Sequence, residues 1–368
     1  MTVSKSPVSG YLNKMYQYTE NIFPETGDIR RAAVELSLAT ASGTCVAQFL
    51  YMKLCSNRLM DIVDEYLSCD KLVSRGTRFE KNLSWKLREI KKRALVVWIV
   101  LIGNAALYVT VPIFIPGRHF TEDLFVLYGL EPMFETPNYE ISFIILVAGV
   151  YFAVFTLVHT TIFTIIIIGY LEAILLALSE ETDHIWDDSE NFYKKQKDAI
   201  NTIQYIQSTI YTKDVLKNAF IKYRLGHIIQ FQIVTLKLKR KIDKELSVFF
   251  MVEFLFLAVA IVAELIGGLE NTYLEVPYTG GQVFITCLIG QRLVDAGTAF
   301  ERSLYGCRWE NFNTSNQKMI LLMLQFSQKT LTLSAGGITV LSFPCLMFIM
   351  KSTYSAYTTL KSCVYKSP

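Results

Sequence analysis

The sequence predicts an all-α, polytopic membrane protein whose carboxyl terminus lies on the outer side. Three observations carry this expectation. Apolar runs recur along the 368 residues, which are 52% hydrophobic, and about 20 such residues cross a bilayer core. Lysine and arginine gather in alternate connecting segments, and basic loops stay on the cytoplasmic side. The net charge is only +3, so the chain carries no nucleic-acid footprint.

Residues 1–30 are polar, with Pro7, Pro24 and Gly27, and read as a tail. They lack the apolar core and cleavage site of a signal peptide. Residues 31–180 hold membrane helices and an outer loop at 115–140. The first span, Ala32 to Met52, is weakened by Glu35, Ser37, Thr40 and Ser42. The second, Ala94 to Phe114, stops near Pro112 and Pro116, as a missing N–H and a fixed φ dictate. The third, Ile141 to Leu178, would measure about 57 Å against a hydrocarbon core of about 30 Å. It must therefore project beyond the membrane.

Residues 181–247 read as cytoplasmic amphipathic helices, with Val215, Phe220, Ile228 and Ile229 among many charges. Residues 248–310 supply two more spans, Val248 to Leu269 and Val283 to about Tyr305. Residues 311–333 carry a short cytoplasmic anchor helix whose apolar part is Met319 to Phe326. Ser334-Ala335-Gly336-Gly337 then breaks the pattern, since glycine in a helix interior costs roughly 1 kcal/mol. The last span, Ile338 to about Leu360, belongs to a pore segment at 334–363, and 364–368 form an extracellular tail.

Loop charge orders these spans. Arg58, Lys71, Arg75, Arg78, Lys81 and Lys86 precede the second span, whereas 112–140 contain only Arg118 as a basic residue. Residues 180–247 carry twelve Lys and Arg, and 270–282 none. Arg302, Arg308, Lys318 and Lys329 follow. The sequons Asn82-Leu83-Ser84 and Asn313-Thr314-Ser315 then fall inside the cell and are expected to stay unglycosylated.

Catalytic chemistry finds little support. Seven cysteines are scattered, without a CxxC pair, which argues against zinc, redox and disulfide frameworks. His119, His159, His184 and His227 form no ligand pair, and no phosphate loop or nucleophile elbow occurs. No enzyme activity, metal or cofactor is expected. His159 reads as a hydrogen-bonded core histidine. Glu253 and Glu264 lie near opposite ends of the fourth span and are expected to snorkel. Arg292 and Asp295 are spaced for a local pair.

An apolar ligand pocket is expected in the outer half of the bundle, lined by Asn104, Leu107, Tyr108, Phe143, Val147, Tyr151, Phe284 and Leu288. Ordinary packing is the competing reading for each. On the last helix Ser352, Ser355, Thr359 and Cys363 share one face. That face suits either a hydrated conduit or hydroxyls bonded back to the preceding turn.

Four fragments carry a family resemblance: Tyr305-Gly306-Cys307-Arg308-Trp309, Gln328-Lys329-Thr330-Leu331, Ala335-Gly336 and Tyr354-Ser355-Ala356-Tyr357-Thr358-Thr359-Leu360. Together they resemble the carboxyl-terminal signature of the insect odorant receptors, with Thr330 where that family usually has proline. Glu131-Pro132 and Pro137-x-Tyr139 echo the family in the outer loop, and the likeness extends more loosely back to about residue 31. The resemblance implies an odorant-binding tuning subunit of a non-selective, ligand-gated cation channel in the plasma membrane of a sensory neuron. It implies a hetero-tetramer with the odorant co-receptor and a volatile, apolar small-molecule ligand. It makes Ser352, Ser355, Thr359 and Cys363 pore residues, and Tyr305, Trp309, Leu322 and Phe326 subunit-anchor residues. The family has seven spans, so the first would be missing or degenerate within 1–30. The alternatives are a gustatory receptor of the same superfamily, whose terminal Gln-Phe is not found here, and a membrane transporter.

Overall fold

The computed structural model describes residues 29–120, 127, 129–201, 209–268, 272–329 and 331–365. Its long helices are α1 (Ile29–Asp70), α2 (Arg78–Phe114), α3 (Asn138–Asp183), α5 (Thr209–Gly267) and α6 (Glu275–Gly306). A shorter α4 (Ile185–Asn201) lies between α3 and α5. After α6 come a single 3-10 turn (Trp309–Asn311), α7 (Thr314–Ser327), the hairpin strands β1 (Ser334–Ala335) and β2 (Thr339–Val340), and α8 (Phe343–Tyr365). Among the described residues five helices are long and apolar enough to cross a membrane: α1, α2, α3, α5 and α6. The sixth expected span, α8, does not join them, because Lys351 and its hydroxyl-rich second half dilute the apolar run. Residues 1–28, where a further span was sought, lie outside the described residues.

Helix α1 runs eighteen residues past the expected end of the first span. The reason is a stripe of Cys55, Leu59, Ile62, Tyr66 and Cys69, all buried, at alternating spacings of four and three. It packs along α5, whose stripe includes Ile221, Leu225, Ile228, Leu238, Ile242 and Leu246. The separate amphipathic segment and fourth span read from the sequence are thus one continuous helix of 59 residues. Water surrounds the part of this helix that extends beyond the membrane, so burying each large apolar side chain there contributes roughly 1.5–3 kcal/mol. Inside lipid that driving force vanishes and close packing takes over.

Tyrosines lock α1 to α3. The rings of Tyr66 and Tyr170 lie 4.4 Å apart. Tyr66 donates to the Ile167 carbonyl at 2.7 Å, and Tyr170 to Asp70 at 2.5 Å. At this end, hereafter the base, α2 begins with Thr77 as its N-cap, accepting from the Glu80 N–H at 3.2 Å. Gly76 donates to the Glu80 carboxylate, so the cap satisfies a donor of the first turn and the acid one just ahead of the helix. Arg78 bridges Glu181 and Asp188 at 2.8 and 2.7 Å.

The 305–327 region folds back onto the base. Trp186 stacks on Phe312 at 6.0 Å. Asn313 caps α7 by accepting from the Asn316 N–H, and Asn316 donates to the Asn218 carbonyl at 2.9 Å. Gln232 of α5 donates to the Met323 carbonyl at 3.2 Å.

Ser334–Gly337 break the helix, as expected, but Ile338–Ser342 do not start the last one. Gly336 and Gly337 adopt φ of +62° and +72°, positive values that glycine reaches without strain, in a three-residue hairpin loop closed by the Ile338 N–H donating to the Ala335 carbonyl at 3.0 Å. Ser334 pairs with Val340 and Ala335 with Thr339. The hairpin sits on α5: Gly336 N–H donates to the Ser247 carbonyl at 2.8 Å and Ser334 N–H to Asp243 at 2.8 Å. Helix α8 begins five residues later than expected, with Pro344 in its first turn, where a missing N–H is harmless.

Candidate ligand-binding cavity

At the end of the bundle opposite the base, α1, α2, α3, α5 and α6 part around a cavity of about 300 Å³. Helix α3 supplies a purely apolar wall: Ile145, Leu146, Gly149, Val150, Ala153, Val154 and Leu157. The facing wall mixes Ser37, Leu38, Ala41 and Ser42 of α1 with Asn104, Ala105 and Tyr108 of α2. Glu264 of α5 and Glu275, Tyr278 and Thr279 of α6 complete it, and Leu127 of the connecting loop lies across it. A residue at 149 other than glycine would reach into open space, since a Cβ there meets nothing within 4 Å.

The polar groups of this wall form two small sets. The Glu275 carboxylate accepts from the Ser37 hydroxyl at 2.8 Å and from the Tyr108 hydroxyl at 3.0 Å. The Glu264 carboxylate accepts from the Thr279 hydroxyl at 2.7 Å. Tyr278 has its hydroxyl oxygen buried without a hydrogen-bond partner. One turn further along α6, Gln282 accepts from the Thr161 hydroxyl at 2.9 Å, and its Nε2 is likewise unpartnered.

Of the eight expected pocket residues, Asn104 and Tyr108 line this cavity and six do not. Leu107 is 56% exposed on the outer face of α2. Tyr151 is 70% exposed and stacks on Phe155. Phe143 stacks on Tyr139 at 6.2 Å, and Val147 is half-buried between the exposed and the cavity-facing stripes. These three α3 positions share one face, but the cavity is lined by the neighbouring one, about 100° away per residue. Phe284 and Leu288 lie below the cavity because α6 begins at Glu275, two turns before the expected Val283.

Other expectations also change. Glu253 and Glu264 do not snorkel: they are 4% and 1% exposed, and Gln48 donates to Glu253 at 3.4 Å. Arg292 pairs across the bundle with Glu172 at 3.0 Å, which also holds Arg93 at 2.9 Å. Asp295 accepts instead from Gln291 at 2.8 Å. His159 is exposed on α3, its ring against Phe155 at 4.0 Å and its Nδ1 2.7 Å from the Phe155 carbonyl. It is not a core residue.

The expected anchor residues gather at the base. Tyr305 and Trp309 line a groove of about 790 Å³ between α6 and α7, together with Leu321 and Leu324. Leu322 and Phe326 are exposed beside it. On α8, Ser352, Ser355 and Thr359 are exposed while Thr353 is buried against the bundle. Thr359 donates to the Ser355 carbonyl at 2.9 Å, the back-bond that a helical threonine makes. The side chain of Cys363 lies outside the described residues.

A family model described as 7tm Odorant receptor matches residues 28–354. The chain belongs to that family. It is accordingly a predominantly helical, multi-pass membrane protein of a receptor family rather than an enzyme family. Similar odorant receptors include the odorant receptor coreceptor of Ooceraea biroi, 24% identical over 83 residues. That match spans 23% of this chain and 17% of the coreceptor. Odorant receptor 22c of Drosophila melanogaster is 23% identical over 163 residues, 42% of this chain and 39% of that protein. These matches thus span well under half of the relatives' own length. Among solved structures, the insect olfactory receptor OR5 from Machilis hrabei in complex with eugenol has a TM-score of 0.71. The match covers 96% of this chain and 87% of that one at 12% identity, a likeness of fold.

Glu275, Tyr278, Ser37 and Glu264 were missed as cavity residues by sequence reasoning. The signal was present in part, because an acid within an apolar span is a functional suspect, and Glu264 is one.

Proposed function

We propose that this odorant receptor is the tuning subunit of a ligand-gated, non-selective cation channel in the plasma membrane. It pairs with the odorant co-receptor in a hetero-tetramer, with the base inside the cell and the carboxyl terminus outside. A volatile small molecule fills the cavity between α1, α2, α3 and α6 and favours the conducting state. A ligand does this only through unequal affinity for the two states.

The observation that carries the reading is the cavity itself: an apolar space of about 300 Å³ in a chain of the odorant receptor family. Its size sits at the low end for small-molecule sites, roughly 300–1,000 Å³. The unpartnered face of Ser352, Ser355 and Thr359 supports a pore-lining role for α8, and the groove at Tyr305 and Trp309 supports subunit contact.

The test is co-expression with the co-receptor and a panel of volatiles, read as evoked cation current. Gly149→Phe fills the cavity without a backbone clash and is expected to cut volatile sensitivity at least tenfold at unchanged surface expression. Unaltered dose–response curves would remove the cavity from the mechanism. Thr359→Lys is expected to depress cation conductance, and normal conductance would place the pore face elsewhere.

A further inference from the structure

The cavity's two walls differ in chemistry, and the difference selects a ligand. Seven residues of α3 present only hydrocarbon. Across from them stand two carboxylates, Glu264 and Glu275, and among the described residues no lysine, arginine or histidine lines the space. Ser37, Tyr108 and Thr279 give these carboxylates neutral hydroxyl donors. Neutral donors satisfy lone pairs but leave the net charge, and neither glutamate joins any ion pair among the described residues. A carboxylate held out of water without a cation is costly, and a proton or an arriving positive group relieves that cost.

We propose that the cavity selects small volatile amines in their ammonium form, the cationic head against Glu264 and Glu275 and the hydrocarbon tail against α3. The proposal rests on the tuning-subunit reading above and names its ligand class. An ammonium carries three donors and no acceptor, and each of the two carboxylates carries acceptor oxygens only. Charge-assisted hydrogen bonds to carboxylates are about twice as strong as neutral ones. An alcohol of the same shape brings one donor and no charge, so it would forgo most of this gain.

The experiment uses the full chain with the co-receptor and two isosteric pairs: 2-phenylethylamine against 2-phenylethanol, and hexylamine against 1-hexanol. In the native receptor each amine is expected to be at least tenfold more potent than its alcohol. Glu275→Gln and Glu264→Gln keep shape and hydrogen bonding while removing charge, and each is expected to collapse the ratio toward one. Glu275→Asp is expected to restore part of it. Surface labelling identifies variants that fail to mature; the native ratio alone then decides. Equal potency of amine and alcohol, or a ratio untouched by both substitutions, overturns the proposal. Current evoked by alcohols or hydrocarbons with no amine preference overturns this inference alone. Silence to every volatile overturns the channel reading as well.

Discussion

The two ends of the bundle treat buried carboxylates in opposite ways. In the base half, Glu181 holds Arg78 at 2.8 Å and also Arg224. Glu172 holds Arg93 and Arg292 at 2.9 and 3.0 Å. At the cavity end, Glu264 and Glu275 have hydroxyl partners and, among the described residues, no cation. The glycines of α3 repeat the contrast. A Cβ at Gly169 would sit 2.7 Å from Ile90, while one at Gly149 would touch nothing within 4 Å. The base pairs Glu172 and Glu181 with arginines and packs Gly169 tightly; the cavity end does neither at Glu264, Glu275 and Gly149.

The sharpest way to break this contrast is Glu181→Ala. It leaves Asp188 alone to hold Arg78 and Arg224 at a site where the lost carboxylate is 4% exposed, and breaking a buried pair costs up to about 3–5 kcal/mol. Thermal unfolding in detergent should shift by many degrees, or surface expression should fail. Glu264→Gln should leave the same transition near its native position. Equal losses from the two would erase the distinction.

A milder comparison uses one helix only. Gly169→Leu must push against Ile90, and overpacking costs roughly 1–3 kcal/mol. Gly149→Leu has room and should be neutral or slightly stabilising, because glycine is a poor helix former by about 1 kcal/mol. Matching unfolding temperatures for the two variants would show that the cavity end is as tightly filled as the base.

The smallest effect concerns pH. Lys217 donates to Glu190 between α5 and α4, and this hydrogen bond, against opposing burial, holds the Glu190 carboxyl below its ordinary value. The folded state therefore binds that proton less readily than the unfolded chain. The stabilisation is complete above the ordinary glutamate value of about 4.3 and fades as pH falls through the lowered folded value. The gap in unfolding temperature between native protein and Glu190→Gln should be full at pH 6 and shrink below about pH 4. A gap independent of pH would show that the pair contributes nothing.

Much of the fold was legible because its signals are local. The apolar lengths marked α2, α3 and α6, and the adjacent Gly336 and Gly337 marked a break whose geometry proved to be a hairpin. The facing of α3 was not legible. A helix apolar all round offers no moment to say which side meets which neighbour, so Phe143, Val147 and Tyr151 were placed one face away from the cavity. The start of α6 was hidden by Gly280 and Gly281, which read as loop; tertiary packing overrides that weak propensity. Cross-bundle pairs such as Arg292 with Glu172 join residues 120 apart in sequence, and no spacing rule reaches that far. Asp295, three residues from Arg292, was the nearer and wrong partner.

Helix α8 is held at one end only. Its hairpin is clasped to Asp243 and Ser247 of α5, and Gln291 of α6 accepts from the Phe343 N–H at 3.2 Å. Gly290 lets this junction come close: a Cβ there would lie 2.3 Å from the Leu341 backbone. Beyond Thr353 its side chains up to Ser362 are exposed, apart from half-buried Tyr357. A rod of 23 residues is about 34 Å long, so a tilt of roughly 10° at the clasp would carry its far tip about 6 Å sideways. The hairpin is a fulcrum, and small displacements of α5 or α6 emerge from it magnified.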